Sequence, residues 1–161
     1  MSEANRCLIR SEEIAKLQEF PFRHPLNPHS EVHLRSLSAL ADLQRIGLHI
    51  GRIPPGKESF VYHFHHHEEE FVYILSGREI GEIDNEEFEV GPGDFLGFPA
   101  PSVAHHLRNP FETDFVYLMG GERHPVEIGE FPRLKKRVIR DGDEAYFVDL
   151  NSIEAFSFRS E

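Results

Sequence analysis

From Leu43 to about Gly121 the chain is a succession of short runs in which apolar and polar residues alternate. QRIGLHI, FVYHFH, FVYIL, REIGEI, EEFEV, DFLGF, HHLRN and DFVYLM are each rich in β-branched or aromatic residues. Turn formers separate them: PPG (54–56), SG (76–77), DN (84–85), GPGD (91–94) and PAP (99–101). Successive side chains of a strand point to opposite faces, so this alternation is the signature of half-buried strands. Many such strands at close spacing, with no helix-period segment among them, predict an all-β sandwich or closed barrel.

The flanks read differently. Residues 1–42 form an N-terminal arm in which Ser11 is placed to cap a short helix through Gln18, with Glu12 and Glu13 in its first turn. FPFRHPLNPH (20–29) carries three prolines and is expected to be extended loop, and VHLRSL (32–37) alternates as a strand does. After the barrel, 43–121, a C-terminal extension (122–161) is expected to pack on it. That extension begins with loop-like ERHPVEIGEFP and continues into a hairpin, RVIR-DGD-EAYFVDL, turning at Asp141 and Gly142. Phe60, Phe64, Phe71, Tyr73, Phe88, Phe95 and Phe98 are expected in the core.

Composition narrows the class. At 161 residues with 39% hydrophobic content the chain suits one folded domain with arms. Cys7 stands alone, which suits a reducing cytoplasm. The opening MSEANRCLIRSEE lacks the apolar run of a secretion signal, and no apolar stretch approaches the roughly 20 residues of a membrane span. A soluble cytoplasmic protein is expected. Seventeen Lys and Arg against 28 Asp and Glu give a net charge of −11, which repels phosphate backbones and disfavours nucleic acid as a partner.

Eleven histidines change the picture, because they cluster. In FVYHFHHHEEEF, His63 and His65 share one strand face, with Cα atoms roughly 6.5–7 Å apart. Two imidazoles so placed can lean toward one ion; Glu70 can add a carboxylate and His105, in PSVAHHLRN, a third imidazole. His65 with His67 is a competing pair of the same parity, and His106 competes with His105. Glu68 and Glu69 read as solvated loop carboxylates. His49 can face the pocket as acid, base or substrate contact, or sit on the sheet surface; His24, His29, His33 and His124 carry no assigned role. Three basic residues of the barrel strands, Arg52, Arg78 and Arg108, are available to a phosphate.

These residues fall into two spaced motifs that resemble those of the cupin superfamily. Gly56, six residues, His63-x-His65, four residues, Glu70, six residues and Gly77 match the first motif with one insertion. Gly93, five residues, Pro99, then His105 and Asn109 match the second, with Pro101 where glycine is usual. The fifteen residues between them, 78–92, are of the length seen in small single-domain microbial cupins. The resemblance implies a double-stranded β-helix, or small jelly roll, holding one divalent metal ion (Zn, Mn, Fe or Ni) through His63, His65, Glu70 and His105. It also favours His105 over His106, since only His105 keeps three residues before Asn109. Such proteins are often grouped with sugar-phosphate isomerases, so a metal-dependent enzyme on a small oxygenated metabolite is expected. A cupin dioxygenase and a non-catalytic small-molecule-binding protein are the alternatives. Pairing through outer strands, at 30–38 or 137–150, predicts a homodimer.

Overall fold

The computed structural model describes residues 7–101, 103–154 and 156. Alternation becomes sheet wherever it was clearest. β1 (Phe20–Phe22), β2 (Val32–Ser36) and β3 (Ile46–Ile53) join β5 (Glu70–Ser76), β8 (Phe95–Phe98) and β10 (Phe115–Glu122) in a six-stranded sheet ordered β1-β2-β3-β10-β5-β8. β6 (Glu79–Ile83), β7 (Glu86–Val90) and β9 (His105–Arg108) form a second sheet, ordered β7-β6-β9. β4 (Phe64–His65), β11 (Val126–Phe131), β12 (Lys136–Asp141) and β13 (Glu144–Asp149) form a third, ordered β13-β12-β11-β4. Single bridges from Glu58 to Arg108 and from His63 to His105 lay residues 58–65 along β9, joining the two smaller sheets into one wall opposite the large one. The result is the expected all-β jelly-roll barrel.

The core follows from the pleat. In β5, Val72 and Ile74 are buried while Tyr73 and Leu75 face outward. Val32, Ile53, Leu96, Phe98, Phe115 and Tyr117 complete the interior with them. Gly51 makes room for Tyr117, because a Cβ there would lie 2.5 Å from the phenol ring. Gly77 is required twice over: φ is +81°, and a Cβ would meet the Asp114 carbonyl oxygen at 2.3 Å. Asn109 is buried and ties the following loop to β3: its Nδ2 donates to the Ile53 and Thr113 carbonyls at 2.9 and 2.8 Å, and its Oδ1 accepts from the Phe111 amide at 3.1 Å.

Several expectations are corrected. Helix α1 (Ser11–Ala15) is shorter than expected, and Arg10, not Ser11, occupies the N-cap position; its amide donates to the Glu13 carboxylate at 3.2 Å. A second short helix, α2 (Leu37–Leu40), follows β2 and is capped by the Ser36 hydroxyl. The proline-rich 20–29 segment contains β1, which tolerates Pro21 at the sheet edge. ERHPVEIGEFP contains β11, because β4 and β12 supply pairing partners on both sides. Phe98 alone of the seven proposed core aromatics is fully buried; Tyr73, Phe88 and Phe95 are exposed. β2 lies between β1 and β3, so the 30–38 segment offers no free edge, whereas β13, within 137–150, ends its sheet.

The N-terminal arm is held by charge. Glu19 accepts from Arg52 at 2.6 Å and Arg35 at 3.0 Å, and Glu31 pairs with Arg23 at 3.0 Å and Lys57 at 3.7 Å. Asn27 Nδ2 donates to the Phe60 carbonyl at 2.7 Å. No helix of the described residues is long and apolar enough to cross a membrane.

Candidate metal centre

Backbone pairing brings the two distant histidines together. The His63 amide donates to the His105 carbonyl at 3.1 Å, and the His105 amide to the His63 carbonyl at 2.8 Å. Residues paired in this way stand side by side on the same face, and their ring centroids are 4.5 Å apart. His65, two residues on, keeps the same face, with its ring centroid 5.0 Å from that of His63. Glu70 opens β5 on the opposite wall and reaches across the barrel. Its Oε2 lies 3.3 Å from His65 Nε2 and 3.4 Å from His105 Nε2.

Ligand-type atoms of His63, Glu70 and His105 all lie within 4.8 Å of one another. Glu70 Oε2 is buried, yet it has no aligned hydrogen bond among the described residues. A buried carboxylate oxygen left in this way carries a desolvation cost that a cation would remove. The His63 imidazole is oriented from behind. His63 Nδ1 is 2.6 Å from the Val61 carbonyl, so Nδ1 holds the proton and Nε2 presents its lone pair to the cluster. His65 Nδ1 lies 3.6 Å from Glu127 Oε1. His105 stacks flat on Phe98, with centroids 3.6 Å apart and planes within 8°. The donor set therefore fits a divalent ion of mixed nitrogen and oxygen preference.

The electrostatics of His63 and Glu70 agree with that chemistry. Burial, with His105 and His65 alongside, pushes the His63 imidazole down to about 3, so it stays neutral and able to donate its lone pair. Burial opposes ionisation of Glu70, but the imidazoles of His105 and His65 outweigh it and hold the carboxyl well below its usual range. Burial also works against a charged His65, yet Glu70 and Glu127 raise its proton affinity overall.

The competing residues lie elsewhere. His106 turns away from the interior and sits 3.6 Å from Glu58. His66 Nε2 approaches Glu130 at 3.2 Å, and His67 Nδ1 approaches Glu127 at 3.4 Å. Glu68 pairs with Arg140 instead of standing free in solvent.

Above the cluster opens a cavity of about 400 Å³. His49 and Met119 line it from the barrel; Phe22 and His24 come from the N-terminal arm, and Glu127, Phe131 and Arg140 from the C-terminal extension. Burial, and secondarily Arg123, lowers the proton affinity of His49; burial alone lowers that of His24. His24 and Glu127 were missed by sequence reasoning, and no local pattern around either residue marks it. Both depend on long-range pairing, of Glu127 through β11 and of His24 through the turn after β1. Arg52, Arg78 and Arg108 do not line the cavity; they pair with Glu19 and Asp114, with Glu89 and with Glu87.

Comparison with known proteins decides the family. A sequence profile described as the cupin domain matches residues 49–121. A crystal structure from Acidithiobacillus ferrooxidans, provisionally named a sugar phosphate isomerase, is 34% identical with a TM-score of 0.91 over 96% of this chain and 99% of its own. This chain belongs to the cupin superfamily. A cupin from Silicibacter pomeroyi described as a sugar phosphate isomerase superposes with a TM-score of 0.79 over 93% of this chain and 97% of its own; at 22% identity it supports the fold alone. An uncharacterised protein of Methanocaldococcus jannaschii is 40% identical over 57 residues, 35% of this chain and 44% of that protein's length. The cupin match covers the barrel strands; the cavity walls contributed by the arms lie outside residues 49–121.

Proposed function

We propose that this cupin is a metal-dependent enzyme that isomerises a small hydroxy-carbonyl metabolite at a centre held by His63, His65, Glu70 and His105. The observation that carries the reading is that ligand-type atoms of His63, Glu70 and His105 lie within 4.8 Å of one another, with His65 Nε2 3.3 Å from Glu70 Oε2, beneath a cavity of about 400 Å³. The full-length likeness to the provisionally named A. ferrooxidans isomerase supports the reaction class. A divalent ion in this position supplies Lewis acidity toward a carbonyl and its neighbouring hydroxyl. The chain does the rest. Isomerisation moves a proton between adjacent carbons, and His49, half-buried on the cavity wall and neutral at neutral pH, is the base proposed to take and return it. Phe22, Phe60 and Phe131 keep water from the carbon whose proton is moved. The protein is further proposed to act in the cytoplasm as a homodimer, paired through the open edge of β1 or β13.

The test is solvent exchange. Untagged protein, loaded in turn with Zn, Mn, Ni or Fe(II), is incubated in D₂O with paired aldoses and ketoses and followed by NMR. Deuterium entering the carbon next to the carbonyl, and lost in His63→Ala and His49→Gln, is the expected result. Oxygen consumption by the iron form without exchange would replace the isomerase with a dioxygenase, and neither activity would leave a binding protein.

A further inference from the structure

The charges around the cavity speak against the phosphorylated substrates that the names of its relatives suggest. Glu68, Glu69, Glu70, Glu122 and Glu127 line it, and Arg140 is the one Lys or Arg side chain among the described lining residues. That guanidinium is already committed: it pairs with the Glu68 carboxylate, and its second nitrogen donates to the His124 carbonyl at 3.0 Å. Glu127 faces it from the neighbouring strand. The three barrel arginines that a phosphate would need are tied into ion pairs outside the cavity. Even with a divalent cation bound, the cavity keeps an excess of negative charge, and a phosphate dianion entering it is repelled at short range. A cationic ligand is disfavoured for a different reason, since it would have to approach the metal itself.

What the walls do offer suits an uncharged, hydroxylated molecule. The exposed carboxylates of Glu69 and Glu122 stand at the rim as hydrogen-bond acceptors for hydroxyl groups. Phe22, Phe60, Phe131 and Met119 give an apolar surface for the C–H face of a sugar. His24 adds a donor of fixed sense. The Leu26 amide donates to its Nδ1 at 3.2 Å, so Nδ1 is the lone-pair nitrogen and the proton of the neutral ring sits on Nε2. The ring is held edge-on among Phe131 and Phe147, with centroids 5.4 and 5.9 Å away. On a residue that lines the cavity, an Nε2–H is the donor available to a hydroxyl or carbonyl oxygen.

From these features, and resting on the isomerase reading above, we infer that the cavity takes an unphosphorylated sugar, a neutral polyhydroxy carbonyl compound, in preference to its phosphate ester, with His24 as a recognition donor.

Matched pairs test this: D-fructose with D-fructose 6-phosphate, and D-glucose with D-glucose 6-phosphate, titrated by calorimetry into metal-loaded and metal-free protein of measured metal content. In the loaded protein the free sugar should bind at least about tenfold more tightly than its ester. Replacing rim charge in the Glu69→Gln/Glu122→Gln variant should narrow that ratio about threefold or more. His24→Phe should weaken the sugar about tenfold while leaving metal content unchanged. Equal or tighter binding of the esters in loaded protein overturns the inference, as does failure of every sugar to bind protein that carries its metal. Failure to take up metal sinks the isomerase reading instead. The charge comparison then stands on the metal-free protein, where tighter binding of the esters overturns it.

Discussion

The barrel segment from His63 to Asn109 and the two arms that flank the barrel build the same cavity by opposite means. The barrel supplies the convergent donors from its own strands: a bridge that sets His63 beside His105, a two-residue step to His65, and the first residue of β5. The arms supply walls, and they do so only through distant pairing. β11 brings Glu127, Gly129 and Phe131 to the site because Gly129 pairs with His65 and Glu130 with Phe64. The N-terminal arm brings Phe22 and His24 because Glu19, Asn27 and Glu31 pin it to barrel residues. The difference teaches that the convergent donors come from within residues 63–105, whereas the cavity above them is walled jointly by barrel residues such as His49 and Met119 and by the flanking segments.

The sharpest way to break that division is to remove a barrel ligand. His63→Ala or His105→Ala should abolish stoichiometric metal binding, while His66→Ala, whose side chain faces Glu130, should leave it unchanged by elemental analysis. Metal retained in His63→Ala and lost in His67→Ala would shift the whole ligand register.

One arm residue should cross the divide. Glu127 sits behind His65, and its Oε1 also accepts from the His66 and His67 amides at 3.0 and 3.2 Å. Glu127→Gln is expected to weaken metal binding by about 10–100-fold in a competition titration with a chelator. Unchanged affinity would confine the extension to wall-building.

Asn109→Ala should act the other way, on the fold and not on the metal. It strips hydrogen bonds from the Ile53 and Thr113 carbonyls and the Phe111 amide around a buried side chain, so chemical denaturation should show a loss of about 1–3 kcal/mol with metal content intact.

The smallest effect belongs to the N-terminal arm. His33 and Arg23 hold the Glu31 carboxyl down to about 2, against an ordinary 4.5. A group whose proton affinity is depressed by folding stabilises the fold at pH above its unfolded value, and that contribution fades as the pH falls. Hydrogen exchange should therefore show residues 20–36 loosening between about pH 4.5 and 2 ahead of β5 and β10. Simultaneous loss of both would mean that arm and barrel are one cooperative unit.

The same contrast explains what could be read in the sequence. The barrel strands were legible because period-2 alternation and the turns at Asp84-Asn85 and Gly93 are local signals: Asp84, Asn85 and Gly93 all take positive φ. The candidate donors were legible because His63, His65 and Glu70 lie within eight residues of one another. β11 was read as loop because the ERHP before it is loop-like and its alternation is short and inverted, with Glu127 and Gly129 on the buried face; its strand character comes from β4 and β12 on either side. Phe95 and Phe88 were misplaced because alternation fixes that a face is apolar but not that anything covers it. His24 had no periodic neighbour, and only the folded arm brings it to the cavity wall.

The most direct test of the central claim is X-ray absorption spectroscopy of zinc-loaded, untagged protein. The account predicts one site with nitrogen and oxygen ligands at about 2.0–2.1 Å and the outer-shell scattering of three imidazoles. A shell with one imidazole or none, or a spectrum unchanged in His105→Ala, would contradict it.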